Sequence, residues 1–348
     1  MADRATPYLR VDVARLRANV ERAATSAAEV GVVLRPHAKT HKSADIARLQ
    51  LASGAVGLTV ATVGEAEAFA ASGCTDLFIA YPLWLTDALA ARLRTLAGSG
   101  TRIAIGVDSV DGARRAASRL AGSGVEVVVE VDSGHHRSGA EPASAGEVAL
   151  AAAPVAVRGV FTFPGHSYSL DGRAAAARDE AGALATARTS LASAGVAAQV
   201  VSGGSTPSLE HADTSVLTEV RPGVYVFGDA QQWELGAMPS DDIALTAVAT
   251  VVSHAGGRAV LDAGSKVLGA DRAAYATGSG RLLDHPDARI VQLSEHHAVA
   301  ELPGPLPALG SRVLVVPNHC CTAVNLADEL WPTGHDTPWP VTARGRNA

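Results

Sequence analysis

Apolar β-type runs recur through the first two-thirds of the 348-residue chain with helical segments between them, and this alternation constrains the fold more than any other feature. The runs lie near residues 32–35, 57–61, 77–81, 102–107, 126–131, 159–163, 199–201 and 220–227. Their interiors are near-continuous Val, Ile, Leu and Ala, as expected of parallel strands covered on both faces. The stretches between them, at 44–52, 64–71, 86–97, 112–120 and 173–194, mostly show helical spacing and end at glycines such as Gly54, Gly73, Gly98 and Gly195. Eight strand–helix units in roughly 200 residues is the count of a (β/α)8 TIM barrel, an α/β fold. A doubly wound open sheet is the competitor, but no glycine-rich dinucleotide fingerprint follows the first run. Aromatic residues make up only 4% of the chain and Ala and Gly abound, which suits helices packed closely on a sheet.

After about Asp229 the texture changes. Short β-like runs at 243–252, 258–261, 290–293 and 312–316 are split by Gly and Pro, and long helical patterns disappear. The strand-like Tyr8-Leu-Arg-Val-Asp12 precedes a helix over 13–26 and is a candidate to complete the second sheet. The expected organisation is a barrel over 27–229 and a second, β-rich C-terminal domain built from 1–26 plus 230–348. A net charge of -6 with no long basic tract predicts no nucleic-acid partner. No apolar run reaches about 18 residues, so no membrane span is expected. The first residues lack the apolar core of a signal peptide, and Cys74, Cys320 and Cys321 are too few and odd in number for a disulfide framework. A cytoplasmic protein is expected.

Chemistry-bearing residues gather at the C-terminal ends of the predicted strands. Arg35-Pro-His-Ala-Lys39-Thr-His-Lys42 follows the first strand, and Tyr81-Pro82 the third. Asp132-Ser-Gly-His-His-Arg137-Ser-Gly139 follows the fifth, Pro164-Gly-His166-Ser-Tyr168 the sixth, and Ser202-Gly-Gly-Ser205-Thr206-Pro207 the seventh. Arg221-Pro-Gly223-Val-Tyr225 is read as lying within the eighth. In a barrel these converge on one mouth, where barrel active sites lie. Lys39 sits among basic neighbours where crowding and desolvation favour a neutral, nucleophilic amine. The Gly-Gly-Ser-Thr loop offers close backbone N–H groups and two hydroxyls to an anion. A nucleophilic lysine and a phosphate cradle with Arg and aromatic groups between them outline a pyridoxal 5′-phosphate (PLP) site. Arg221 and Glu219 are both candidates to face the ring nitrogen. In Asn318-His319-Cys320-Cys321, His and Cys two apart after a β run can point to one side and share a divalent metal, with Cys320 facing away. Ser294-Glu295-His296-His297 is a candidate third ligand or base, and a solvated turn is the commoner alternative.

With these residues assembled, the chain resembles the fold-type III PLP enzymes related to alanine racemase, and more closely their D-threonine aldolase and D-serine dehydratase branch. The resemblance covers nearly the whole chain. Thr6-Pro-Tyr-Leu-Arg-Val-Asp12 matches the family's opening, and the Lys39 motif implies that Lys39 carries the Schiff base. The Arg137 motif implies an arginine near the cofactor's phenolic oxygen. The Ser202–Pro207 and Arg221–Tyr225 segments match those that meet the phosphate and ring nitrogen. The cofactor contacts expected on this basis are Lys39, Arg137, His166, Tyr168, Ser205, Thr206, Arg221, Gly223 and Tyr225. Asp262-Ala-Gly-Ser-Lys266 and Pro317-Asn-His-Cys-Cys321 match this branch's second domain. The latter implies a divalent metal (zinc, manganese or magnesium) on His319 and Cys321, with Lys39 and His319 as the catalytic residues. A homodimer is implied as well.

The chain departs from the pattern at three points. Glu295-His296-His297-Ala298 replaces a Glu-Glu-His-Gly, Phe163 stands where alanine racemases stack a His under the ring, and the catalytic tyrosine motif of racemases is missing. The resemblance implies a PLP- and metal-dependent lyase for D-β-hydroxy amino acids. Retro-aldol cleavage of D-threonine to glycine and acetaldehyde is the leading expectation. β-Elimination from D-serine is the alternative, favoured by the cysteine ligand, and a PLP-binding protein without turnover is a second alternative.

Overall fold

A computed structural model describes residues 4–348. They divide into two compact units. One comprises the chain up to Arg22 with Thr40–Ile46 and Val224–Gly345, and the other Ala23–Lys39, Ala47–Gly223 and Arg346–Ala348. The chain opens with β1 (Tyr8–Val11) and α1 (Val13–Glu29), whose start is fixed by Asp12 accepting the Arg15 N–H at 3.1 Å.

The larger unit is the barrel. Its strands are β2 (Val33–Leu34), β3 (Leu58–Val60), β4 (Asp76–Pro82), β5 (Arg102–Val107), β6 (Glu126–Glu130), β7 (Val157–Phe161), β8 (Val200–Gly203) and β9 (Glu219–Val220). They form one parallel sheet in the order β2-β9-β8-β7-β6-β5-β4-β3. A parallel bridge from His37 to Thr59 joins the two ends, supported by Val56 N–H to Leu34 C=O at 3.0 Å and Thr59 N–H to Pro36 C=O at 2.8 Å. The crossovers carry α2 (Ala44–Ala52), α3 (Val63–Ala71), α4 (Asp87–Gly98), α5 (Val110–Leu120), α6 (Ala145–Ala151) and α7 (Arg173–Ser193). Thr62, Thr86 and Ser109 each cap a helix by accepting an N–H three residues on. Phe78, Ala104, Val128 and Phe161 fill part of the interior, with the two rings edge to face at 4.9 Å.

The structure corrects three local readings. The eighth strand stops at Val220 rather than running to 227, because Pro222 has no N–H for the ladder and Val224–Val226 turn into a 3-10 helix. The Arg221–Tyr225 segment therefore follows the strand instead of lying within it. Gly98 is the last helical residue of α4, and the left-handed turn falls on Gly100 at φ +90°. Helix α6 escaped the periodicity because seven residues give barely two turns.

The second unit is a nine-stranded sheet. Its further strands are β10 (Leu245–Ala255), β11 (Arg258–Leu261), β12 (Gly280–Leu282), β13 (Arg289–Leu293), β14 (Ala298–Glu301), β15 (Arg312–Pro317), β16 (Glu329–Pro332) and β17 (Trp339–Pro340). Strand β10 pairs antiparallel with β1, β11 and β15, while β1 also runs parallel to β16. The N-terminal strand thus completes this sheet, with Leu9 and Val11 buried beneath it. Short helices α8 (Ala230–Glu234), α9 (Ser265–Leu268) and α10 (Cys320–Leu326) connect the strands. Among the described residues no helix is long and apolar enough to cross a membrane.

Candidate active site

Lys39 lies in a 3-10 turn, Ala38–Thr40, directly after β2. Its Nζ stands 6.0 Å from the centroid of the Phe163 ring, and the Arg137 guanidinium carbon stands 5.0 Å from the same ring. His135 meets that ring edge to face at 5.6 Å, and Tyr168 lies tilted to it at 6.3 Å. Phe163, two residues beyond β7, is the hub on which the first, fifth and sixth loops converge.

The loop bearing Arg137 is shaped by Asp132. One carboxylate oxygen accepts the N–H groups of Gly134 at 2.9 Å and His136 at 3.0 Å, and the other lies 2.6 Å from His136 Nδ1. Partial burial pushes the Asp132 carboxyl up, but those hydrogen bonds hold it below its ordinary value. His136 is spent in this turn at φ +57°. Burial, then the charges of Arg137 and His166, hold His135 below the usual imidazole value. His166 Nε2 lies 3.2 Å from Asp179, while its buried Nδ1 has no hydrogen-bond partner.

In the Ser202–Thr206 loop, Gly204 takes φ +79°. The Ser205 hydroxyl lies 2.9 Å from Ser167 Oγ and 2.8 Å from Ser208 Oγ, giving a buried cluster of three hydroxyls. Gly204 N–H donates to Glu180 Oε1 at 2.7 Å, and burial pushes the Glu180 carboxyl up to about 7. Of the two candidates for the ring nitrogen, Glu219 has both oxygens engaged, by Arg35 Nε and by Ser202 Oγ, each at 2.7 Å. Arg221 is buried after the strand end and donates to Ser202 Oγ at 2.8 Å and to Thr162 C=O at 2.5 Å. Glu130 ends β6 with Oε1 accepting from Ser138 at 3.1 Å and Oε2 buried without a partner. Burial raises it to about 7 against the opposing pull of Ser138, Arg137 and Arg221.

Sequence reasoning passed over Glu130 and Glu180. A glutamate closing the valine run Glu126-Val-Val-Val-Glu130 was a usable signal for the first, since carboxyls are rarely buried unpaired. Nothing local marks Glu180, which sits on α7 far from the loop it meets.

In the second unit, His319 is extended at φ -131° and caps α10, whose first turn holds Cys321. The pair thus meets at a strand–helix junction and not by strand alternation. Their side chains hydrogen-bond, and His319 Nδ1 lies 2.8 Å from Asp271 Oδ2. Burial lowers the His319 imidazole, but the Cys321 sulfur, then Asp229 and Asp271, lift it to about 10. The Cys321 thiol also donates to Oγ1 of Thr40 at 3.4 Å. Cys320 is fully buried, its N–H donating to Asp229 at 3.2 Å, and burial pushes its thiol up. Among the described residues no group of three or more His, Cys, Asp or Glu side chains could hold a metal. Ser294–His297 forms the turn between β13 and β14, with Glu295 paired to Lys266 at 2.8 Å. Tyr225 is buried within the 3-10 turn after Gly223.

Residues 11–231 match the alanine racemase N-terminal domain, and residues 244–332 match a putative serine dehydratase domain. The chain belongs to the fold-type III PLP-dependent enzymes. Within them it falls in the D-threonine aldolase and D-serine dehydratase branch, and it is an enzyme of the PLP-dependent lyase type. PLP is the cofactor expected of this fold-type III family. A D-threo-3-hydroxyaspartate dehydratase from a Delftia species is 35% identical over 91% of this chain and 90% of its own. A solved D-threo-3-hydroxyaspartate dehydratase, a cysteine-to-alanine mutant in the metal-free form, superposes with a TM-score of 0.88 at 30% identity, covering 97% of each chain. A 3-hydroxy-D-aspartate aldolase from Paracoccus denitrificans is 29% identical over 98% of this chain and 92% of its own. The crystal structure of D-threonine aldolase from Filomicrobium marinum superposes with a TM-score of 0.87 at 30% identity, covering 98% of this chain and 96% of that one.

Proposed function

We propose that this fold-type III enzyme is a PLP- and divalent-metal-dependent lyase that eliminates water from D-β-hydroxy amino acids. The observation that carries the cofactor site is the convergence of Lys39 and Arg137 on the single ring of Phe163. Lys39 would be the covalent anchor, and Phe163, on which Lys39 and Arg137 converge, would help hold the cofactor ring. Arg137 serves the phenolic oxygen and Arg221 the ring nitrogen, since Glu219 is already committed to Arg35 and Ser202. Ser205 and Thr206, with Gly223, Tyr225, Tyr168 and His166, complete the phosphate end. The buried hydroxyls of Ser167, Ser205 and Ser208 suit an anion as donors. When bound, PLP supplies an electron sink at the substrate's Cα.

His319 and Cys321 are the metal ligands. The donor set fits a soft divalent ion such as zinc, with Asp271 orienting the imidazole through Nδ1 as a carboxylate does in histidine metal sites. A divalent ion held by His319 and Cys321 would supply Lewis-acid activation of the substrate's β-hydroxyl. Lys39 takes the Cα proton, the Cβ–O bond breaks, and the leaving hydroxide departs as water. Hydrolysis of the product then gives a 2-oxo acid and ammonia. The His–Cys pair favours this reading, because a cysteine replacement accompanies the metal-free form of the related dehydratase. The second reading is retro-aldol cleavage to glycine and an aldehyde, favoured by the likeness to D-threonine aldolase. A homodimer in the cytoplasm is part of the same proposal.

The test is to supply D-serine, D-threonine and D-threo-3-hydroxyaspartate to metal-replete holoenzyme. Oxo acid plus ammonia is the expected product. Glycine plus aldehyde would replace the first reading with the second, and inertness towards all three would sink both.

A further inference from the structure

A line of hydrogen-bonded polar groups, buried from Arg35 onward, runs through the barrel. It begins at Asp76, the first residue of β4, whose Oδ1 accepts from Arg35 Nη1 at 2.6 Å. Arg35 is only 1% exposed and donates through Nε to Glu219 Oε2 at 2.7 Å. Glu219 Oε1 lies 2.7 Å from Ser202 Oγ, which lies 2.8 Å from Arg221 Nε. A side chain at Gly57 would collide with Arg35 Nη1, so the backbone there leaves room for the guanidinium.

Proton positions along this line are dictated by chemistry. An ionised carboxylate only accepts, and a guanidinium only donates. The Ser202 hydroxyl has one proton, which it gives to Glu219. Its lone pair is then left to accept the Arg221 N–H. The carboxylate of Glu219 therefore fixes the hydroxyl, and the hydroxyl fixes the arginine, whose Nη2 is pinned in addition by Thr162 C=O. Arg221 packs over the rings of Phe161 at 5.2 Å and Phe78 at 5.6 Å, which leaves its plane little freedom.

We propose that Glu219, acting through Ser202, is a positioning residue that holds Arg221 in the orientation in which it meets the cofactor ring. This rests on the reading that Arg221 serves the ring nitrogen of PLP. In Glu219→Gln the amide can donate to Ser202, so the hydroxyl is no longer obliged to accept from Arg221. Ser202→Ala removes the link but leaves the Arg35–Glu219 pair intact, so it tests the idea even if the first variant folds poorly. Ser202→Thr keeps the hydroxyl.

The experiment measures PLP dissociation constant and the visible absorption band of each holoenzyme, alongside thermal melting of the cofactor-free chains. Glu219→Gln and Ser202→Ala should each weaken PLP about tenfold or more, the loss of a hydrogen bond to a charged group, and move the band in the same direction. The double variant should be no worse than either single one, because both break the same link. Ser202→Thr should restore both readouts. Asp76→Asn, further down the line, should lower the melting temperature and leave the band in place. Unshifted bands and unchanged affinity in Glu219→Gln and Ser202→Ala, or additive losses in the double variant, would overturn the inference alone. A wild-type chain that takes up no PLP would overturn the cofactor reading and this inference with it.

Discussion

The carboxyl of Glu180 should make folding stability fall as the pH rises from about 4.5 to about 7, and Glu180→Gln should abolish that part of the fall. Glu180 is buried on α7, with one oxygen accepting Gly204 N–H and the other unpaired. Burial raises its pKa from 4.5 to about 7. Below about pH 4.5 the group is protonated in folded and unfolded chains alike and contributes nothing. As the pH rises from there, the unfolded chain releases the proton while the folded chain keeps it, so stability declines. Above about pH 7 both have released it, and the deficit stays constant. Each pH unit across this window is worth about 1.4 kcal/mol, so the full deficit is about 3 kcal/mol. Glutamine can still accept from Gly204 but never ionises. The assay is urea unfolding of cofactor-free wild type and Glu180→Gln at several pH values, taking the difference between the two curves. That subtraction removes every other titrating group. A gain of about 3 kcal/mol for the variant between pH 4.5 and pH 8 is expected. A difference independent of pH would refute the burial argument.

Glu130→Gln should show the same pH-dependent gain, since burial lifts Glu130 to about 7 and leaves Oε2 unpaired. Unfolding curves across the same pH range check it. Lys39→Ala should lose the visible PLP band and all covalent label after borohydride reduction, with activity down by orders of magnitude. His319→Ala and Cys321→Ala should abolish turnover and metal content measured by elemental analysis, while retaining the PLP band. Chelation of the wild-type enzyme should do the same, and full activity after verified metal removal would count against the ligand pair. Gly203→Ala should weaken PLP binding strongly, because the added methyl meets Glu180 Oε1 beneath the phosphate loop. Fluorescence titration of the cofactor measures that.

The barrel was legible because its strands are covered on both faces and so read as unbroken apolar runs. The same signal failed at β9, where Val224-Tyr-Val-Phe227 prolongs the apolar pattern across Pro222 and only the missing N–H stops the ladder. Lys39, Arg137 and the Ser202–Thr206 loop were visible as local motifs. The spacing of His319 and Cys321 was legible, but its cause was not. An extended residue followed by a helical turn brings the pair together, and a strand-period argument reaches the same residues by a different geometry. What the sequence hid are contacts between distant segments, such as Glu180 with Gly204 or Asp271 with His319. A carboxylate on a helix carries no local mark of the loop it will meet.

These hidden carboxyls alter how the barrel mouth should be read electrostatically. Counting formal charges there, Lys39, Arg137 and Arg221 would be set against Glu130 and Glu180, and an anionic cofactor would find little net attraction. Burial changes the count. It raises both carboxyls to about 7, so near neutral pH each carries its negative charge only part of the time. Glu219 stays engaged with Arg35, which is itself shared with Asp76, so its charge is offset within the barrel by a neighbouring guanidinium. The buried guanidinium of Arg221 has no carboxylate among its hydrogen-bond partners and is linked to Glu219 only through a neutral hydroxyl. A phosphate dianion is favoured by what remains, because Arg137 and Arg221 are permanent cations while the acids beside them are either paired or partly protonated. As the pH climbs past 7 the two glutamates ionise and the same mouth grows less welcoming. The polar line that orients Arg221 and the buried acids that spare its charge are therefore two parts of one arrangement for holding an anion.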